Sequence, residues 1–125
     1  MSEEIQKLYS HYSAVFPVED VAETIKWYEK HLGCDLFFSY GEPVGYAVLS
    51  LNENLRIHIT KKDDTFKPSD RHTAIYVFVH DIEKVFAHMK SLGLVTGDLA
   101  TADYGMRDFI ITDLNGFRIT FGQGA

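Results

Sequence analysis

A repeated pattern inside the chain restricts its fold more than any other feature. The run His11-Tyr12-Ser13-Ala14-Val15-Phe16-Pro17-Val18-Glu19-Asp20-Val21 lines up with His72-Thr73-Ala74-Ile75-Tyr76-Val77-Phe78-Val79-His80-Asp81-Ile82. Each run leads into a stretch of helical period that ends in Leu-Gly, at Leu32-Gly33 and at Leu92-Gly93. Each half then closes on a similar segment, Leu55-Arg56-Ile57-His58-Ile59 and Phe117-Arg118-Ile119-Thr120-Phe121, at an offset of 61 residues at the start and 62 at the end. Duplication places equivalent positions about a pseudo-twofold axis, so the inner faces of the strands can surround one shared cleft.

The periods within each half define the unit. Tyr12, Ala14, Phe16 and Val18 alternate with His11, Ser13, Val15 and Pro17 as in a strand packed on one side. Val21, Ile25, Tyr28 and Leu32 then recur at helical spacing, with Asp20 as N-cap and Gly33 as the stop. Strands are predicted at 35–40, 45–51 and 55–60, separated by Gly41-Glu42-Pro43 and Asn52-Glu53-Asn54. The second half predicts a strand at 71–79, a helix at 82–91 opened by Asp81 and an irregular strand from Leu94. Two further strands follow at 106–112 and 117–121, around the Asp113-Leu114-Asn115-Gly116 turn. Residues 3–9 predict a short leading helical turn. The fold class is therefore α+β: two tandem βαβββ modules forming paired mixed sheets around a cleft, with helices on the outer face. The expected organisation is one domain over 1–125, with modules at 10–60 and 71–123 and the polar connector 61–70 between them.

Composition removes several classes of function. A hydrophobic fraction of 46% is too high for disorder. A net charge of -6 argues against a nucleic-acid partner and is compatible with a cationic or neutral ligand. No apolar run is long enough to span a membrane, and the first residues lack a secretory pattern, so the expected location is cytoplasmic. Cys34, the single cysteine, has no partner for an internal disulfide and no base beside it. No nucleophile elbow and no phosphate-cradling glycine motif is present.

Strand parity assigns Leu55, Ile57 and Ile59 to the core, and Arg56, His58 and Thr60 to the opposite face. In the second half it assigns Phe117, Ile119 and Phe121 to the core and Arg118 and Thr120 to the cleft. His11 and Ser13, with His72 and Ala74, fall on that same inner face. His11, His58 and His72 could together ligate a transition metal or act as acid–base groups, or each could be a rim or hydrogen-bonded core residue. Phe38, Tyr46, Tyr76 and Tyr104 are candidate walls for a flat organic ligand. Arg107 and Asp108, after Tyr104-Gly105-Met106, could pair with each other or touch a ligand. His31 suits a helix C-terminus, while His80 and His88 read as turn and helix-surface residues.

The segments 16–21, 27–29, 32–33, 55–59 and 107–117 together resemble the vicinal oxygen chelate superfamily, which includes glyoxalase I, extradiol dioxygenases and antibiotic-resistance proteins. The likeness runs from about Tyr12 to Gln123 and is greatest to the bleomycin-resistance proteins. It implies a homodimer with ligand clefts between subunits. It also implies four strand positions that hold a metal in the superfamily's enzymes, matched here by Ser13, His58, Ala74 and Thr120. Only His58 among them is a strong ligand.

The expected function is thus a metal-independent small-molecule binding protein that sequesters an organic, cationic or aromatic ligand at a dimer interface. Phe38, Tyr46, His58, Tyr76, Tyr104, Arg118 and Thr120 would line the cleft, with no cofactor and no catalytic residue. The alternative is a metal-dependent lyase, isomerase or dioxygenase holding Zn, Ni, Mn or Fe on His11, His58 and His72.

Overall fold

The computed structural model describes residues 3–124; Met1, Ser2 and Ala125, the outermost residues of the expected domain, lie outside the described residues. A short helix α1 (Glu3–Gln6) precedes β1 (Ala14–Val18), α2 (Val21–Leu32), β2 (Asp35–Tyr40), β3 (Tyr46–Asn52) and β4 (Leu55–Lys61). The order then repeats as β5 (Thr73–Phe78), α3 (Ile82–Ser91), β6 (Ala100–Thr101), β7 (Met106–Thr112) and β8 (Arg118–Gly124). Each half forms its own four-stranded sheet, ordered β1-β4-β3-β2 and β5-β8-β7-β6. β1 runs parallel to β4 and β5 parallel to β8, while the remaining pairs are antiparallel. A parallel pair needs a long crossover, which α2 and α3 begin in their respective halves.

Both helices start and stop by the same chemistry. Asp20 accepts a hydrogen bond from the Glu23 amide at 2.9 Å, and Asp81 from the Lys84 amide at 3.2 Å. Gly33 takes φ 68° after α2 and Gly93 takes φ 73° after α3, a left-handed conformation that a side chain would oppose. α2 buries Val21, Thr24, Ile25 and Tyr28. Phe16, Val18, Ala47, Leu49, Ile57 and Ile59 belong to the same core cluster. Burial of each large apolar side chain stabilises the fold by roughly 1.5–3 kcal/mol. α3 is more lightly buried, with Ile82 and Met89 inside. It covers Phe109, Phe121 and their neighbours, and Phe86 stands edge-on to Phe109 at 5.2 Å.

The two modules meet along an apolar and hydrogen-bonded seam. Phe117, just before β8, stacks on Phe16 of β1 at 4.1 Å between ring centroids, and Phe66 of the connector lies 6.0 Å from the same ring. Behind this stack the fully buried Tyr28 donates its hydroxyl to Asp113, and Asn115 donates to the Thr24 hydroxyl at 3.0 Å. Asp113 and Asn115 therefore do more than shape a turn; they tie the β7–β8 turn of one module to the helix of the other.

Several boundaries differ from the alternation pattern. β1 begins at Ala14 and β5 at Thr73, so His11, Tyr12 and His72 lie outside the strands, and Tyr12 is 95% exposed. Leu55 is partly exposed because it follows directly on the Asn52–Asn54 turn, at the sheet's end. The stretch from Leu94 forms only one isolated bridge, Val95 to Ile111, before the two-residue β6.

Candidate ligand cleft

The face of each sheet turned away from its helix forms the candidate site. On the first sheet the register places Val15, His58, Val48 and Phe38 side by side across β1, β4, β3 and β2. The neighbouring row holds Thr60, Tyr46 and Tyr40. A bulge between Leu36 and Phe38 changes the parity of the edge strand, so that Phe37 also reaches the inner face, where the Arg56 guanidinium lies 3.9 Å over its ring. The Tyr46 hydroxyl is hydrogen-bonded to Nδ1 of His58, and the two rings meet edge to face at 5.6 Å. Phe38, Tyr46 and His58 are thus brought together as the sequence suggested.

On the second sheet the corresponding rows are Tyr76, Thr120 and Ile110, then Phe78, Gly122 and Asp108. The Tyr76 hydroxyl donates to Oδ2 of Asp108 at 3.0 Å and the Tyr104 hydroxyl to the same oxygen at 3.2 Å. Removal of water around the Tyr76 phenol, and then the bonded Asp108 carboxylate, push its pKa up to about 12. The same two causes raise Tyr104. Thr120 is buried and shares a hydroxyl–hydroxyl hydrogen bond with Thr73. Arg118 donates to the Asp70 carbonyl at 2.9 Å.

Two expectations are corrected here. Arg107 and Asp108 do not pair, because successive strand residues point to opposite faces: Arg107 reaches Glu83 on α3 while Asp108 faces the cleft. Nor do His11, His58 and His72 converge. His11 is exposed beside Ser10 at 2.7 Å, and His72 sits in a connector turn where Ser69 accepts from the Arg71 and His72 amides. Among the described residues no group of three His, Cys, Asp or Glu side chains is placed to hold a metal. The four matched positions supply one imidazole, already engaged by Tyr46, a methyl group at Ala74 and two hydroxyls. That donor set does not fit a tightly held divalent ion.

A hollow of about 520 Å³ opens where the β1 and β4 starts face β5. Arg56, Ile57, Tyr76, Val77 and Phe78 line it together with residues 10–14. Of the seven expected ligand residues only Tyr76 lines this hollow. Asp108, offered by the sequence as a ligand contact, does face this side, whereas Phe78, Phe37 and Gly122 are inner-face residues that the sequence did not single out as lining. A glycine in the middle of β8 was the available signal, since it marks close approach of another group.

The architecture, with two βαβββ modules joined through the Phe16–Phe117 stack and carrying aromatic inner faces, defines a paired-module cleft protein. The chain belongs to the Glyoxalase/Bleomycin resistance protein/Dioxygenase superfamily, whose family model matches residues 9–121. Among solved structures it is similar to a superfamily member from Sphaerobacter thermophilus DSM 20745 (TM-score 0.79, 16% identity, covering 94% of this chain and 98% of that one). It is also similar to TnmS3, an antibiotic binding protein from Streptomyces sp. CB03234 (TM-score 0.76, 18% identity, 94% and 98% covered). A third likeness is to a variant of the fosfomycin resistance protein FosX from Listeria monocytogenes in complex with Mn(II) and 1S,2S-dihydroxypropylphosphonic acid (TM-score 0.69, 14% identity, 94% and 93% covered). At these identities the likeness shows the fold. No curated protein gives a significant match. Among the described residues no helix is long and apolar enough to cross a membrane.

Proposed function

We propose that this protein is a metal-independent binder of a small organic molecule, held between the inner faces of its sheets and enclosed by a second copy of the chain in the cytoplasm. One observation carries the reading: the inner faces leave large apolar groups in water. Phe37, Phe38, Tyr40, Phe78 and Tyr104 are 61%, 49%, 72%, 71% and 71% exposed, and Val15 on the opposite edge strand is 53% exposed. So many exposed large aromatic side chains signal surfaces that another body covers. Rings with hydroxyl tips suit a flat ligand, which they can stack upon and hydrogen-bond. His58, Tyr46 and Thr120 supply the polar contacts. The poor donor set at Ser13, His58, Ala74 and Thr120 supports binding without a metal.

The test is metal analysis by mass spectrometry on untagged protein, joined to a thermal-shift screen of aromatic compounds before and after chelation. Substoichiometric metal and ligand-induced stabilisation that survives chelation are expected. Stoichiometric metal whose removal abolishes ligand binding or turnover would overturn the proposal in favour of a metal-dependent enzyme.

A further inference from the structure

We propose that Asp108, framed by Tyr76, Phe78 and Tyr104, recognises a positively charged nitrogen, so that the ligand of this cleft is an organic ammonium compound. This rests on the reading that the cleft binds an organic molecule, and it specifies which chemical class.

The geometry is assembled across three strands. Phe78 on β5, Gly122 on β8 and Asp108 on β7 form one row of the sheet. Tyr76 extends from β5 over β8 to reach Asp108, and only the missing side chain at position 122 permits it. A Cβ at Gly122 would stand 2.0 Å from the Tyr76 hydroxyl oxygen and 2.6 Å from the ring carbon that bears it. Tyr104 approaches the same carboxylate oxygen from the loop before β7. Two phenolic donors on one oxygen fix the orientation of the carboxylate. Among the described residues no hydrogen bond reaches the second oxygen, Oδ1, and no lysine, arginine or histidine pairs with Asp108. The adjacent arginine is held by Glu83 on the opposite face.

A negative charge is therefore oriented by two phenols, beside exposed aromatic rings, without a cation of the protein's own. The Tyr76 and Phe78 rings lie 4.9 Å apart, and Phe78 and Tyr104 are open to solvent. An ammonium group placed there gains the carboxylate and the negative ring faces together. A neutral analogue gains stacking alone, and an acidic one meets repulsion.

Calorimetric titration of tryptamine, tryptophol and indole-3-acetate tests this, because the three share one ring system and differ in charge. Tryptamine should bind about tenfold tighter than tryptophol, and indole-3-acetate weakest. The tryptamine-to-tryptophol ratio should fall to about one in Asp108→Asn and persist in Asp103→Asn. Gly122→Ala, which displaces Tyr76, should lower the same ratio and serves if Asp108→Asn does not fold. Equal binding of tryptamine and tryptophol by the wild type, or a ratio that survives Asp108→Asn, overturns the ammonium assignment while leaving the cleft reading in place. Binding of none of the three at millimolar concentration overturns both.

Discussion

The Tyr28–Asp113 hydrogen bond offers a sharp test of how the modules are joined. Tyr28→Phe removes one donor and little volume. Asp113 is 5% exposed, and its Oδ1 retains the amides of Asn115 and Phe117, each at 2.9 Å. Its Oδ2, however, loses the phenol of Tyr28. A hydrogen bond to a charged group contributes about 1.5–3 kcal/mol, so a loss of about 2 kcal/mol is expected at pH 7. Burial already raises Asp113 above the ordinary carboxylate value of 3.8, and the Tyr28 donor opposes that rise. The folded protein thus holds this proton more tightly than the unfolded chain does. The group's contribution is most favourable at low pH and declines as pH rises through the raised folded value. Tyr28→Phe raises that value further, so its penalty should be largest at neutral pH and shrink as the solution is acidified through the Asp113 titration. Urea denaturation followed by fluorescence of Trp27, whose ring lies 5.2 Å from that of Tyr28, reads both quantities. A loss below about 0.5 kcal/mol, the range of an ordinary surface substitution, would refute the reasoning. So would a penalty that is the same at neutral and acid pH.

Other outcomes follow from single features. Asp20→Ala should cost about 1 kcal/mol by leaving the Glu23 amide uncapped, and an unchanged urea midpoint would count against the capping role. Phe38→Ser should cost the monomer about 1 kcal/mol, since the ring is already 49% exposed, yet shift sedimentation from dimer to monomer. A wild type that already sediments as a monomer defeats the dimer reading. Cys34 is 4% exposed, and burial first, then Asp35 and Glu29, push its thiol up to about 12. A disulfide reagent at pH 8 should therefore modify it only as fast as the protein opens, and rapid modification of native protein would contradict the burial.

Much of the fold was legible because its signals are local. Alternation correctly placed Ile57, Ile59, Ile119 and Phe121 inside. Helical spacing placed Val21, Ile25 and Tyr28 on the covered face of α2, with Asp20 and Asp81 as caps. The site was less legible. Tyr46 and His58 meet as parity required, but parity failed at two of the register shifts, in β2 and in β5. Phe37 joins Phe38 on the inner face, and Thr73 meets Thr120 because the β5 register shifts between Thr73 and Ile75. A one-residue slip reverses every following assignment, and only the partner strand fixes where it occurs. The histidine trio failed for a related reason: regular alternation ended before it reached His11 or His72.

The chain's own order of residues settled the duplication, the elements of each module and the direction most strand side chains face, since these depend on neighbours a few positions away. Tertiary structure alone settled which distant groups share a space. It joined Tyr28 to Asp113, stacked Phe16 on Phe117 and let Tyr76 cross Gly122 to Asp108. Those pairings arise from the register and packing of separate strands, which fix side chains in three dimensions without leaving a periodic trace along the chain.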